Sequence, residues 1–167
     1  MPAARGAARA AAPARTEAAL YRVYEDNNLE QLDLETEIDC AVLGDACFKV
    51  IWDSAEKKVR VTAPDIQGIY AWWLGDDTSK VWRVASRYSL SAEETGMLYG
   101  VKPKGHTATI VELWTERDFE LYADGTLVER KPNPYGFIPF IIYPNLREPK
   151  KFWGISDLPR SWSRSGS

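Results

Sequence analysis

The chain has 167 residues and a formal net charge of -3, a length that suits one domain able to bury roughly two-thirds of its unfolded surface. Hydrophobic residues are 45% and charged ones 27%, the balance of an ordinary folded protein, and the mildly acidic charge argues against a chain whose main task is gripping nucleic acid. No apolar run reaches the roughly 18 residues of a membrane span, and Cys40 and Cys47 are too few for a disulfide framework and lack a zinc or Cys-x-x-Cys spacing. Both cysteines are expected to be small buried hydrophobes.

Residues 1–15, MPAARGAARAAAPAR, are rich in Ala and Arg, without acids or a continuous apolar core. They are no secretory signal and read as a low-complexity, poorly ordered arm. Thr16 and Glu17 start a predicted short helix through Tyr24, with Leu20, Val23 and Tyr24 on one side. Asp26, Asn27 and Asn28 interrupt it, and any of them can cap a second helix ending near Leu43. This helix carries two opposite apolar stripes, Leu29, Leu32, Cys40 and Leu43 on one and Leu34, Ile38, Ala41 and Val42 on the other. Either it is clamped between its own sheet and a neighbouring subunit, or its first turns belong to a differently oriented segment. Between Glu25 and Asp45 stand eight acids and no base, a pattern read as a solvated face.

Gly44 ends the helix as a left-handed cap, and the periodicity then falls to two. Strands are predicted over residues 46–52, 57–62, 67–74, 80–88, 107–115, 119–122 and 126–130, with a short helix over 92–99 behind the capping box of Ser91 and Glu94. In the fourth strand Val81 and Arg83 alternate with Trp82 and Val84. After a turn at residues 133–136, the apolar run from Phe137 to Tyr143 holds Pro139, which marks an edge strand or a strand entry. Ser156 or Asp157 is expected to cap a following helix. The fold class is α+β: one or two N-terminal helices and then a mainly antiparallel sheet of seven or eight strands.

Catalytic constellations are absent from the sequence. His106, the sole histidine, pairs only conceivably with Glu112, and Asp76 with Asp77 and Glu93 with Glu94 sit where turns and helix starts favour acids. No phosphate-cradling loop, nucleophile elbow or zinc-protease motif is present. No catalytic, cofactor-binding or metal-binding residue is therefore assigned. The seven tryptophans are more informative: Trp72 and Trp73 are adjacent in a strand and point to opposite faces, so one of them can serve a second buried surface.

Two stretches carry a family resemblance. In the first, Gly44, Asp45 and Ala46 close a helix and start a strand that runs into a turn at Asp53; in the second, Gly136, Ile138, Pro139, Asn145, Gly154, Ser156, Asp157 and Leu158 follow in order. This order resembles the portal proteins of tailed bacteriophages, the head–tail connectors. The resemblance implies a wing-like α+β domain over residues 16–158, with residues 159–167 a disordered tail where the family's long channel helices would follow, as in a truncated subunit. It implies a non-enzymatic structural protein of the virion, at the capsid vertex and in the host cytoplasm during assembly. Its partners would be copies of itself in a ring of about a dozen, capsid, scaffold and terminase proteins, and double-stranded DNA passing through unbound during packaging and ejection, with no membrane and no cofactor. Leu34, Ile38, Trp72 and Trp73 are the candidate subunit contacts. The alternative is a free-standing β-rich binding module that uses an aromatic face around Trp72, Trp73 and Trp82.

Overall fold

The computed structural model describes residues 3–158. In chain order it contains helices α1 (Ala3–Asp26) and α2 (Leu29–Leu43), strands β1 (Asp45–Asp53), β2 (Lys58–Thr62), β3 (Ile69–Leu74) and β4 (Asp77–Ser91), helix α3 (Ala92–Tyr99), and strands β5 (Thr107–Trp114), β6 (Asp118–Ala123), β7 (Thr126–Pro132) and β8 (Phe140–Pro144). The α+β class predicted from the sequence is the class observed. The expected poorly ordered arm differs: α1 begins at Ala3 and runs through Pro13, because Ala and Arg are among the strongest helix formers. The tail at 159–167 lies outside the described residues.

The corner between the helices is set by two asparagines with different roles. Asn28 takes the left-handed conformation at φ 47° without a side-chain cap, and its carbonyl accepts from the amides of Gln31 and Leu32. The Asn27 side chain reaches across the sequence instead. Its Nδ2 donates to the Val59 carbonyl at 2.9 Å and its Oδ1 accepts from the Val61 amide at 2.8 Å, which pins the corner to β2.

The single sheet expected from the sequence is two antiparallel sheets, one ordered β2-β1-β8 and one ordered β3-β4-β5-β6-β7. Pro64 follows the end of β2, and a 3-10 turn over Ile66–Gly68 then leads into β3, so the second sheet starts as a new layer. The short strand β8 closes the first sheet: Pro139 is fully buried just before it, and the Pro139 carbonyl accepts from the Val50 amide at 3.0 Å. Pro139 therefore enters an edge strand, as its missing donor requires.

The core lies between the sheets in two clusters, one around Ile110, Trp114, Phe119 and Leu121 and one around Cys47, Ile66, Ile69 and Val84. Ile138 and Phe140 pack against both and join them. One buried charge crosses the layers. Lys49 of β1 pairs with Glu112 of β5, whose carboxylate also accepts from Trp114 Nε1 and the Tyr88 hydroxyl, each at 2.9 Å. A buried carboxylate this fully partnered ties the two sheets in one register.

Candidate functional site

The stretches around Gly44–Ala46 and Gly154–Leu158 are about 110 residues apart in sequence and meet in space at the end of α2. A helix end leaves its last carbonyls without intrahelical donors. Gly44 takes the first step, at φ +96°, its amide donating to the Cys40 carbonyl at 2.9 Å. The next carbonyls are served by the distant segment: Ser156 Oγ lies 3.0 Å from the Ala41 carbonyl and 2.7 Å from that of Val42, and the Asp157 amide donates to Ala41 at 2.9 Å. Asn145 joins from just past β8, its amide donating to the Gly44 carbonyl at 2.9 Å and its Nδ2 to the Ile155 carbonyl at 3.2 Å and to Asp157 Oδ1 at 3.0 Å.

Asp45 completes the junction. It is only 6% exposed, and its Oδ1 accepts from the Gly154 amide at 2.8 Å. Burial pushes the Asp45 carboxyl above its ordinary value, and the Gly154 amide partly offsets this by favouring the charged form. The backbones approach so closely that only glycine fits at two points: a Cβ on Gly154 would stand 2.4 Å from the Gly44 carbonyl oxygen and 2.6 Å from Pro144 Cβ, and one on Gly44 would stand 3.0 Å from the Ser156 nitrogen. Ser156 and Asp157 were expected to begin a helix. They instead cap the C-terminal end of one already made, while the Ser156 oxygen accepts from the Leu158 amide at 2.9 Å.

The other motif residues serve local ends. Ala46 is buried in β1 opposite Tyr143 of β8. Asp53 ends β1 and turns the chain: Oδ1 accepts from the Ala55 and Glu56 amides and Oδ2 from Arg60, each at 3.0 Å, and these bonds, the Glu56 amide first, hold its carboxyl below the usual range. Gly136 supplies the positive φ of the turn before β8, and Asn133 at its start is buried with its amide donating to the Thr115 and Phe137 carbonyls.

The candidate subunit contacts divide. The inner stripe of α2 is buried or half-buried, whereas Leu34 and Ile38 on the outer stripe are 54% and 56% exposed, so the opposite stripes belong to one continuous helix with only one of them covered. Trp72 and Trp73 point to opposite faces as expected: Trp73 stacks on Phe152 with ring centroids 4.9 Å apart, and Trp72 stands exposed on the outer face of the five-stranded sheet. The alternation expected at Val81–Val84 is corrected. Pairing runs Trp72 to Arg83 and Trp73 to Val81, so Trp82 is an extra residue in a β-bulge. Val81 turns into the core beside Val84, while Trp82 comes to the side of Arg83, whose guanidinium lies 4.2 Å from the Trp82 ring centroid and 5.7 Å from that of Trp72. Trp73 consequently does not share the face of Trp72 and Trp82. Arg83 and Tyr70, neighbours on that face, were missed by sequence reasoning; Tyr70 was recoverable, since it stands two residues before Trp72, but the bulge was not.

His106 is exposed before β5, and the Glu112 carboxylate is occupied by Lys49, Tyr88 and Trp114, so the structure does not join them as a dyad. Asp77 accepts from Ser79 and pairs with Lys80, and Glu94 completes the capping box with Ser91. Among the described residues no group of three His, Cys, Asp or Glu side chains is placed to hold a metal ion. Lys151, in the segment after β8, pairs with Glu148. Both cysteines are buried, with the Cys47 thiol pushed up to about 12 by burial. No helix among the described residues is long and apolar enough to cross a membrane.

The sequence matches no family model and no curated protein.

Proposed function

We propose that this chain is a structural subunit of a ring, the wing region of a portal-type connector at a capsid vertex through which a genome is packaged and ejected, with no catalysis of its own. The observation that carries the reading is the junction. Two motif stretches that resemble the portal family in sequence close on one another through Gly44, Asp45, Asn145, Gly154, Ser156 and Asp157, using the end of α2 as a fixed point from which the chain departs. Such an arrangement holds a segment in a set direction and offers no group for chemistry. The uncovered stripe of α2 supplies apolar area for a neighbouring copy.

Copies of the chain meet head to tail in this reading, since an interface joining two different surfaces is what closes a ring. Light scattering over a range of concentrations tests it. The expected result is a mass that climbs toward a large closed assembly; a single chain mass at every concentration overturns it. The exposed Trp72, Arg83 and Trp82 cluster favours a second reading, a free-standing module that binds a partner or carbohydrate on its aromatic face. A monomer whose tryptophan fluorescence shifts on titration with an oligosaccharide, and shifts no longer in Trp72→Ala, would favour that module.

A further inference from the structure

Resting on the ring-subunit reading, we infer that the outer stripe of α2 in one copy docks on the outer face of the five-stranded sheet of the next copy. The sheet face is shaped for it. Residues paired across neighbouring strands share a face, so the register sets Tyr70, Ala85, Leu113 and Glu120 in one row, and Arg83 and Arg87 flank Ala85 along β4. Ala85 is the low point between Tyr70 and Trp72 of β3 and Val111 and Leu113 of β5 but is itself only 5% exposed. The surface a partner meets is therefore the exposed Tyr70 and Trp72 with the half-buried Val111 and Leu113 opposite, and an arginine at each end. This trough is about 13 Å long between Arg83 and Arg87. The apolar stripe from Leu34 to Val42 is about 12 Å long.

Charge makes the two surfaces complementary. The 3.6-residue period puts Glu30 and Glu37 along one edge of the Leu34, Ile38 and Val42 stripe and Glu35 and Asp39 along the other. Among the described residues none of these four acids has an ion pair, and neither does Arg87 or Arg83. Arg83 is already engaged within the face, its guanidinium over the Trp82 and Trp72 rings and near the Glu120 carboxylate and its Nε buried, so Arg87 is the exposed end open to an incoming acid. An acid-rimmed apolar helix meets an aromatic-walled face on which Arg87 stands exposed at one end, opposite in charge to the helix rims. The acidic stretch thus has an occupant to meet rather than water alone.

Two variants and their mixture test the pairing in the full chain. Ile38→Arg disables the helix stripe and Tyr70→Glu disables the trough, both at exposed positions, with unchanged thermal melts by circular dichroism as the fold control. Sedimentation velocity is expected to show each variant alone as a single chain at concentrations where the wild type assembles. An equimolar mixture is expected to form a capped pair of two chains and to grow no further, because one good helix meets one good trough. Variants that assemble like the wild type overturn these surfaces and leave the ring reading standing. A Tyr70→Glu variant that pairs with itself also overturns them, since it marks a contact of α2 with α2. A wild type that stays a single chain, with a mixture that does not pair, overturns the inference and the ring reading together. Leu34→Arg and Trp72→Glu repeat the experiment at neighbouring exposed sites if either first variant melts early.

Discussion

The junction at the end of α2 and the outer face of the five-stranded sheet are built from similar materials and are opposite in state. At the junction each polar group brought near the helix end has a partner: Ser156 and Asp157 serve the Ala41 and Val42 carbonyls, Gly154 serves Asp45, and Asn145 ties the segment back to Gly44. On the sheet face Arg83 keeps a buried nitrogen without an acceptor, and Tyr70 and Trp72 are exposed. A closed set of contacts stabilises the chain by itself, and an open set is available to something outside it. Substitutions in the two regions should therefore differ in what they disturb, folding in the first and association in the second.

The sharpest break is Gly154→Ala. Its Cβ would fall 2.4 Å from the Gly44 carbonyl, backbone against backbone, so the junction must part; urea denaturation is expected to show a loss of about 3 kcal/mol. Ser156→Ala leaves the Ala41 carbonyl with the Asp157 amide but strips Val42 of the hydroxyl that reaches it, and a loss of about 1 kcal/mol is expected in the same measurement. Asp45→Asn sharpens the comparison through pH. Burial raises the folded-state value of Asp45 above 3.8, so across the interval between 3.8 and the raised value the folded chain holds a proton that the unfolded chain releases. Wild-type stability from this group falls as pH rises through that interval, whereas Asn carries no such slope; denaturation from below pH 3.8 to neutrality should show the variant gaining on the wild type. The smallest effect belongs to the sheet and helix faces. Tyr70→Ala and Ile38→Ala are expected to change the monomer's stability by no more than about 0.5 kcal/mol while weakening self-association, read by denaturation and sedimentation on the same samples.

The buried thiols add a check on the layer between the two regions. Cys40 and Cys47 both have values raised by burial, Cys47 to about 12, so an aromatic disulfide reagent near neutral pH should find no reactive thiol in the folded chain and two after denaturation. Prompt reaction of Cys47 in the native protein would show that the Ile66, Ile69 and Val84 cluster around it opens readily.

Local signals carried much of the architecture because their physics is local. The capping box of Ser91 and Glu94, the left-handed Gly44 and the period-two runs each concern groups a few residues apart, and each lies where the sequence places it. Asn27 shows the limit: a cap candidate by composition, it spends its side chain on Val59 and Val61, residues more than 30 positions away. The bulge at Trp82 was hidden for the same reason, since an unbroken alternation reads identically whether or not the partner strand slips by one.

By itself the sequence determined the α+β class, the order of elements as far as β8 and the two-striped α2, through periodicity, capping chemistry and proline's missing donor. Only the tertiary structure decided that eight strands part into two sheets, that Glu112 is buried between them, and that Gly154 to Asp157 close on α2 instead of starting a helix. Those outcomes depend on which distant groups reach which orphan carbonyls and charges once the layers pack. Such satisfaction is a property of neighbours in space, and no spacing along the chain encodes it.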